Sequence, residues 1–417
     1  MAITIKKNNL NILHINSYDK KGGAEIVFNI CRQNHYVTNF SGYIKISDNN
    51  EQPHIKFYNW EDDNKLFGII NYIFSLKNYF LLKKFLFNNN INIIHLHGFF
   101  ASISPSILLA IKKTKRKKNI KVIQTLHDFH LICPNASLYN FNKNKLCEKC
   151  ISKKIKLYIF KENCDRRGWI YSFIKGIRSI IANQFLKHKE LIDIFICPGE
   201  FIKSKIIQDG IPENKIIVIR NPVNIEIKDH TKKEDIICYY GRFSKEKNLE
   251  FLIDAFIKWK ETTNNGFKLL LIGDGEEKSK LLDKITKSKF QNDIILENFV
   301  PQQQLFNHIK SAKYFSLASS CYEVAPMSII EAISNNIIPI APNIGGMEES
   351  IIELSKVGLT YKANDIISWI ETINILEKTY EKRLNELTSI KSDLIKEFSI
   401  ENYLMRLNDL YQSLVNF

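Results

Sequence analysis

Short apolar runs, each stopped by glycine, asparagine or charge and followed by a helical pattern, recur along the whole chain. In the first half they cover 11–16, 91–97, 121–126, 191–197 and 216–220; in the second half 236–240, 268–272, 294–300, 312–318 and 337–341. Runs this short and rich in Ile, Leu and Val predict buried strands rather than helices. Strand and helix alternate in both halves, which predicts two doubly wound α/β domains facing a cleft. The first domain is expected over 1–224 and the second over 232–397, with the charged stretch to Asp235 as the linker. The tail, 398–417, has Tyr403, Leu407, Leu410 and Leu414 on one helical face and is expected to be a single helix.

Two amphipathic segments interrupt this alternation. Residues 66–88 mix aromatic and aliphatic side chains with Lys77, Lys83 and Lys84, and fit either core packing or a membrane surface. Residues 169–189 form a basic amphipathic stretch, and a basic run stands at 112–118. Charge then separates the halves. Residues 1–224 hold 35 Lys/Arg against 16 Asp/Glu, or +19, and the remainder holds 24 against 28, or −4. A difference of this size directs the first half towards an anionic partner such as a lipid surface, a lipid-linked phosphate or nucleic acid. No uncharged apolar run reaches the ~18 residues of a membrane span, and the first residues lack the apolar centre of a secretory signal.

The chain's eight Cys, without a signal, predict reduced thiols in a cytoplasmic protein. Four of them cluster in sequence. Cys147 and Cys150 have zinc-knuckle spacing, and Cys133 and Cys164 stand outside them. Four thiolates would close a structural tetrahedral zinc site stapling an irregular insertion, 133–168, but leave no open position for catalysis. Four buried small thiols are the other reading.

Candidate chemistry sits where strands end. Gly22 and Gly23 follow the first strand, and a glycine pair there lets backbone amides approach a phosphate. His127 and Asp128 end the run 121–126, where open α/β sheets bind ligands. In the second half Gly241-Arg242 precedes Lys247-Asn248 and a helix. Arg242 could bind a diphosphate bidentately and Lys247 as a point charge. The stretch 319–331 carries two carboxylates, Glu323 in a loop and Glu331 in the following helix. Met327 and Ser328 open that helix, whose N-terminal amides suit an anion.

Glu323 and Glu331 with seven residues between them, Gly241-Arg242 followed by Lys247-Asn248, the Gly22-Gly23-Ala24-Glu25 turn, the Thr125-Leu126-His127-Asp128 stretch and the 343–349 turn resemble, in this order, the retaining glycosyltransferases of the GT-B fold. The similar group is the large glycogen-synthase-like one, of glycosyltransferase family 4 type. The usual Gly is Asn298 here. The resemblance spans nearly the whole chain and implies an N-terminal acceptor domain, a C-terminal nucleotide-sugar domain and a terminal helix crossing back onto the first.

It further implies a nucleotide-sugar donor, a UDP- or GDP-sugar, and a glycan acceptor. A lipid-linked saccharide acceptor at the inner face of a bacterial membrane would account for the +19 and the aromatic–Lys segments, and places the expected reaction in surface polysaccharide or lipopolysaccharide synthesis. Catalytic roles fall to Glu323, Arg242, Lys247 and His127, and donor contacts to Gly22, Gly23, Glu331, Met327 and Ser328. No Asp-x-Asp triad stands at a strand end, so no catalytic metal is expected, and no nucleic-acid module is visible. Two other classes remain open: a GT-B sugar-nucleotide epimerase or hydrolase, and a zinc-containing nucleic-acid-binding protein.

Overall fold

The computed structural model describes residues 10–20, 22–224 and 232–415. The first nine residues and most of the expected linker lie outside them. The chain divides into two compact units, Met1–Pro222 with Ile400–Phe417, and Val223–Ser399. The terminal helix, Ile400–Val415, therefore belongs to the first unit.

The first unit is built on strands β1 (Asn11–Tyr18), β2 (Thr38–Ile44), β3 (Ile55–Lys56), β4 (Ile93–Leu96), β5 (Lys121–Thr125), β8 (Ile194–Cys197) and β9 (Ile216–Val218). They form a parallel sheet in the order β3-β2-β1-β4-β5-β8-β9. The order reverses between β1 and β4, so their carboxyl ends frame a crevice. β4 is buried at every residue, as parallel strands covered on both faces must be. The terminal helix buries Tyr403, Leu404, Leu407, Leu410 and Tyr411 against this unit, whereas Leu414 is half-buried.

The amphipathic segments are not continuous. Residues 66–88 split into helices Lys65–Ile73 and Leu76–Asn88, and Ser75 caps the second by accepting the Asn78 amide (3.3 Å). Residues 169–189 run as helix Trp169–Ile180, one π turn at Ile181–Phe185 and a short helix, His188–Leu191. The insertion is better ordered than its polarity suggests. It contains an antiparallel pair, β6 (Tyr139–Asn140) and β7 (Lys145–Leu146), and buries Leu138, Tyr139, Ile151 and Ile159. Asp209 holds it from outside, accepting the Ser152 amide (2.7 Å) and pairing with Lys156 and Lys189.

The second unit repeats the plan with β10 (Glu234–Arg242), β11 (Lys268–Asp274), β12 (Ile294–Glu297), β13 (Ala312–Ser316), β14 (Ile338–Pro342) and β15 (Leu359–Tyr361). The parallel order is β12-β11-β10-β13-β14-β15, reversing between β10 and β13. Trp259 and Trp369 are fully buried in its core, in edge contact at 6.1 Å.

Candidate active site

In the second unit the candidate groups collect at the carboxyl ends of β10 and β13, where the strand order reverses. β10 ends in Arg242, whose side chain is exposed. The chain then makes a short turn at Lys245–Lys247. Lys247 Nζ meets Glu323 Oε1 at 2.8 Å, with the two side chains 25% and 16% exposed. Ser319 Oγ donates to the same carboxylate oxygen. Burial, the largest single influence, would lower the Lys247 pKa. The charge and hydrogen bond of Glu323, with smaller contributions from Tyr239 and Cys321, together outweigh it and hold Lys247 protonated above the usual lysine range. Burial would likewise raise Glu323, and Lys247 with Ser319 brings it below the usual carboxylate value. Both groups are thus fixed in their charged forms.

Main-chain contacts hold the loops that carry this pair. The Ser320 amide donates to the Glu246 carbonyl (2.9 Å), and the Gly346 amide donates to the Glu323 carbonyl (2.9 Å). A Cβ on Gly346 would lie 2.1 Å from the Val324 oxygen, so only glycine permits this approach.

Glu331 sits in the helix Met327–Ser334 and is 8% exposed. Its Oε1 accepts from Gln302 Nε2 at 2.8 Å, and Tyr240 Oη bonds the Ser328 carbonyl at 2.7 Å. Burial pushes Glu331 up to about 7, against the lowering effect of its Gln302 and Tyr240 hydrogen bonds. Met327 and Ser328 occupy the first turn, both half-buried. Arg242 does not join the Lys247–Glu323 pair, and Glu331 has separate partners.

The first unit holds the other candidates. Gly22 precedes the helix Gly23–Arg32, and its amide is not open to an anion: it donates to Glu25 Oε2 at 2.8 Å. The side chain three residues on thus satisfies a donor at the helix start. His127 follows β5 and is half-buried, and burial brings it down to about 4, leaving a neutral imidazole. Its Nε2 lies 3.1 Å from His97 Nδ1, and the two rings stack at 5.4 Å. Asp128 pairs instead with His130 (2.6 Å). His97, Phe100, His127, Asp128 and His130 line a small pocket at the ends of β4 and β5.

Cys133, Cys150 and Cys164 are buried and Cys147 is half-buried, all as free thiols in the inserted lobe. Asn135 Nδ2 donates to the Cys164 carbonyl (3.0 Å), and the Cys147 amide donates to the Leu138 carbonyl (2.8 Å). Burial raises the Cys164 thiol to about 12, and the neighbouring Cys133 and Cys147 add to this.

Sequence reasoning missed Gln302, Ser319 and the polar cluster His14, Cys31, His95 and His97. Gln302 begins a helix just after Pro301, a helix-start signal, but nothing local indicates that it reaches Glu331.

Residues 62–227 match the family model described as Glycosyltransferase Family 4, and residues 221–388 match Glycosyl transferases group 1. The two matches follow each other along the chain and meet at its change of unit. The chain belongs to the GT-B glycosyltransferases of family 4 type. Among relatives of this family-4-type chain, the amylovoran biosynthesis glycosyltransferase AmsD of Erwinia amylovora is 30% identical over 137 residues, covering 33% of this chain and 37% of AmsD. The match thus spans well under two thirds of that relative. A 41.2 kDa protein of the cps region of Klebsiella pneumoniae is 25% identical over 82% of this chain and 83% of its own length. Among solved structures, Anabaena HepE in complex with UDP-glucose superposes with a TM-score of 0.67 at 15% identity, covering 97% of this chain and all of HepE. That likeness shows the GT-B fold.

Proposed function

We propose that this chain transfers a sugar from a nucleotide sugar to a saccharide acceptor, with retention at the anomeric carbon, in bacterial surface polysaccharide or lipopolysaccharide assembly. The observation that carries the reading is the Lys247–Glu323 pair at the point where β10 and β13 diverge. Lys247, locked as a cation beside the exposed Arg242, offers positive charge for the departing diphosphate. Glu323, locked as an anion, holds donor-sugar hydroxyls and favours positive charge building at the anomeric carbon. Glu331 accepts hydrogen bonds from ribose hydroxyls, exchanging them for its contact with Gln302. The leaving phosphate takes the acceptor proton on the front face, so no protein base is needed. With two side-chain cations on the diphosphate, the chemical step needs no divalent ion.

The acceptor meets the basic first unit, where His127 stands at the end of β5 as a neutral hydrogen-bonding group. AmsD acts in amylovoran biosynthesis and HepE binds UDP-glucose, which supports a polysaccharide acceptor and a UDP-linked donor. We assign the four thiols of the insertion to a structural zinc. No described helix is long and apolar enough to cross a membrane, and we assign the protein to the inner membrane face as a peripheral enzyme.

The test is donor turnover with and without acceptor. UDP- and GDP-sugars are offered together with lipid-linked oligosaccharide extract, in EDTA, and nucleotide release is followed. The anomeric proton coupling of the product reports its configuration. Acceptor-dependent release with an α-linked product from an α-linked donor is expected. Donor consumption that ignores acceptor would assign the chain to epimerase or hydrolase chemistry instead.

A further inference from the structure

Beneath the first unit's crevice lies a buried set of metal-capable groups that the transferase reading does not use. His14 on β1, Cys31 in the helix Gly23–Arg32, His95 on β4 and His97 directly after it are all buried. One ligand atom from each lies within 4.8 Å of the others. Their hydrogen bonds are uneven. His95 is fully engaged, Nδ1 with Tyr411 Oη and Nε2 with Thr125 Oγ1, both at 2.8 Å. His14 Nε2 faces Asn39 Oδ1 at 3.1 Å, while His14 Nδ1 has no partner. His97 Nδ1 faces His127 Nε2, while His97 Nε2 has no partner.

These two orphaned nitrogens point to a ligand. Asn39 donates its own amide to the Asn34 carbonyl (2.6 Å), which fixes Oδ1 towards His14. His14 must then carry its proton on Nε2, leaving a bare lone pair on Nδ1. The same follows at Nε2 when His97 Nδ1 donates to His127. Two buried lone pairs beside a thiol, with no donor to satisfy them, are costly unless a cation fills the space.

We propose that Cys31 Sγ, His14 Nδ1 and His97 Nε2 bind a single soft d10 cation, Cu⁺ or Zn²⁺, with His95 supporting it from the side. Thiolate and imidazole are the donors such ions select. Binding breaks the Cys31 S–H bond, the sulfur keeps the electron pair for the metal, and the proton leaves to solvent. Tyr403 Oη, 3.4 Å from Cys31 Sγ, donates to the resulting thiolate. Asn39 and His127 do the same orienting work on the outer nitrogens of the two imidazoles. No carboxylate belongs to this set, so Cu⁺ with one thiolate makes a neutral buried centre, whereas Zn²⁺ leaves one excess positive charge. The ion would bridge β1, β4 and the first helix directly under the terminal helix, and through His97 it would fix which nitrogen of His127 bears the proton.

The test uses the full chain loaded anaerobically with Cu⁺ or with Zn²⁺ and freed of loose metal by a competing chelator. X-ray absorption at the metal edge, which averages over this site and the four-thiol lobe, should show the outer-shell scattering that only imidazole gives, and Cys31→Ala should abolish that scattering. The four-thiol lobe would give sulfur alone, so the sites are distinguishable. Cys31→Ala should lower the bound metal by one equivalent per chain. A native spectrum without imidazole scattering under both loadings, or a folded Cys31→Ala chain with unchanged metal content, overturns the proposal. If Cys31→Ala does not fold, the native spectrum alone decides.

Discussion

Glu331 shows how one side chain is tuned against the stability of its own domain. Burial has lifted its pKa from 4.5 to about 7. Between these values the folded chain holds a proton that the unfolded chain releases, so stability falls as pH rises through this window and the loss is complete above about 7. The full penalty is at most roughly 3 kcal/mol. Glu331→Gln keeps the Gln302 hydrogen bond and removes the charge. We expect it to raise the melting temperature at pH 8, leave it nearly unchanged at pH 5 and weaken UDP binding. Melts across this range, with and without UDP, check it, and parallel curves for the two proteins would refute it. Lys247 poses the opposite case, a cation stabilised by its partner. Lys247→Met leaves Glu323 with only Ser319, and kcat should fall about a hundred- to a thousandfold with KM for donor changing much less. A variant losing only donor affinity would show that Lys247 binds the ground state instead.

At the scale of elements, position depends on contacts that cross many residues, and this limits what the sequence makes legible. Ten strands of the two parallel sheets are legible in the sequence because parallel strands are apolar on both faces, as the fully buried run Ile93–Leu96 shows. β2, β3 and β15, which are short or carry polar residues, are not. Arg242, Lys247, Glu323 and Glu331 stand out in the sequence because they lie at strand ends or in the helix after a proline or glycine signal, and the structure brings Lys247 and Glu323 together while Arg242 and Glu331 stay apart from them. The supports of the site do not stand out. Gln302 reaches Glu331 across 29 positions, and His14, Cys31, His95 and His97 converge only when β4 pairs with β1. The break at Ser75 was also hidden, because its cap is one serine inside an otherwise helical pattern. Gly346 is the sharpest example. It looks like a turn residue, yet its lack of a side chain lets the loop of Glu323 lie against it. Gly346→Ala should push that loop away, destabilise the second unit by about 1–3 kcal/mol and cut turnover more than donor binding. Unchanged turnover with an unchanged melting temperature would mean that the loop tolerates the shift.

For the whole molecule, the uneven charge acquires a physical address in the first unit's surface. The basic excess of 19 in residues 1–224 accompanies exposed apolar side chains that a water-facing helix does not need, among them Leu66, Phe67, Ile70, Phe80 and Phe87. Helices Lys65–Ile73 and Leu76–Asn88 also carry Lys77, Lys83 and Lys84. Next to anionic lipid each basic residue near the surface contributes about 1 kcal/mol, a gain that screening removes over a Debye length. Inserted apolar side chains add a contribution that salt does not screen. The two contributions can be separated experimentally. Sedimentation with anionic vesicles should show strong binding at low salt and a weaker remainder at physiological salt. Phe67→Ser with Phe80→Ser should abolish that remainder, while Lys83→Gln with Lys84→Gln should weaken only the low-salt binding. Binding to neutral vesicles equal to that on anionic ones would eliminate the charge argument. No binding to either would remove the membrane as the partner of these helices and leave the +19 of residues 1–224 to an anionic partner in solution.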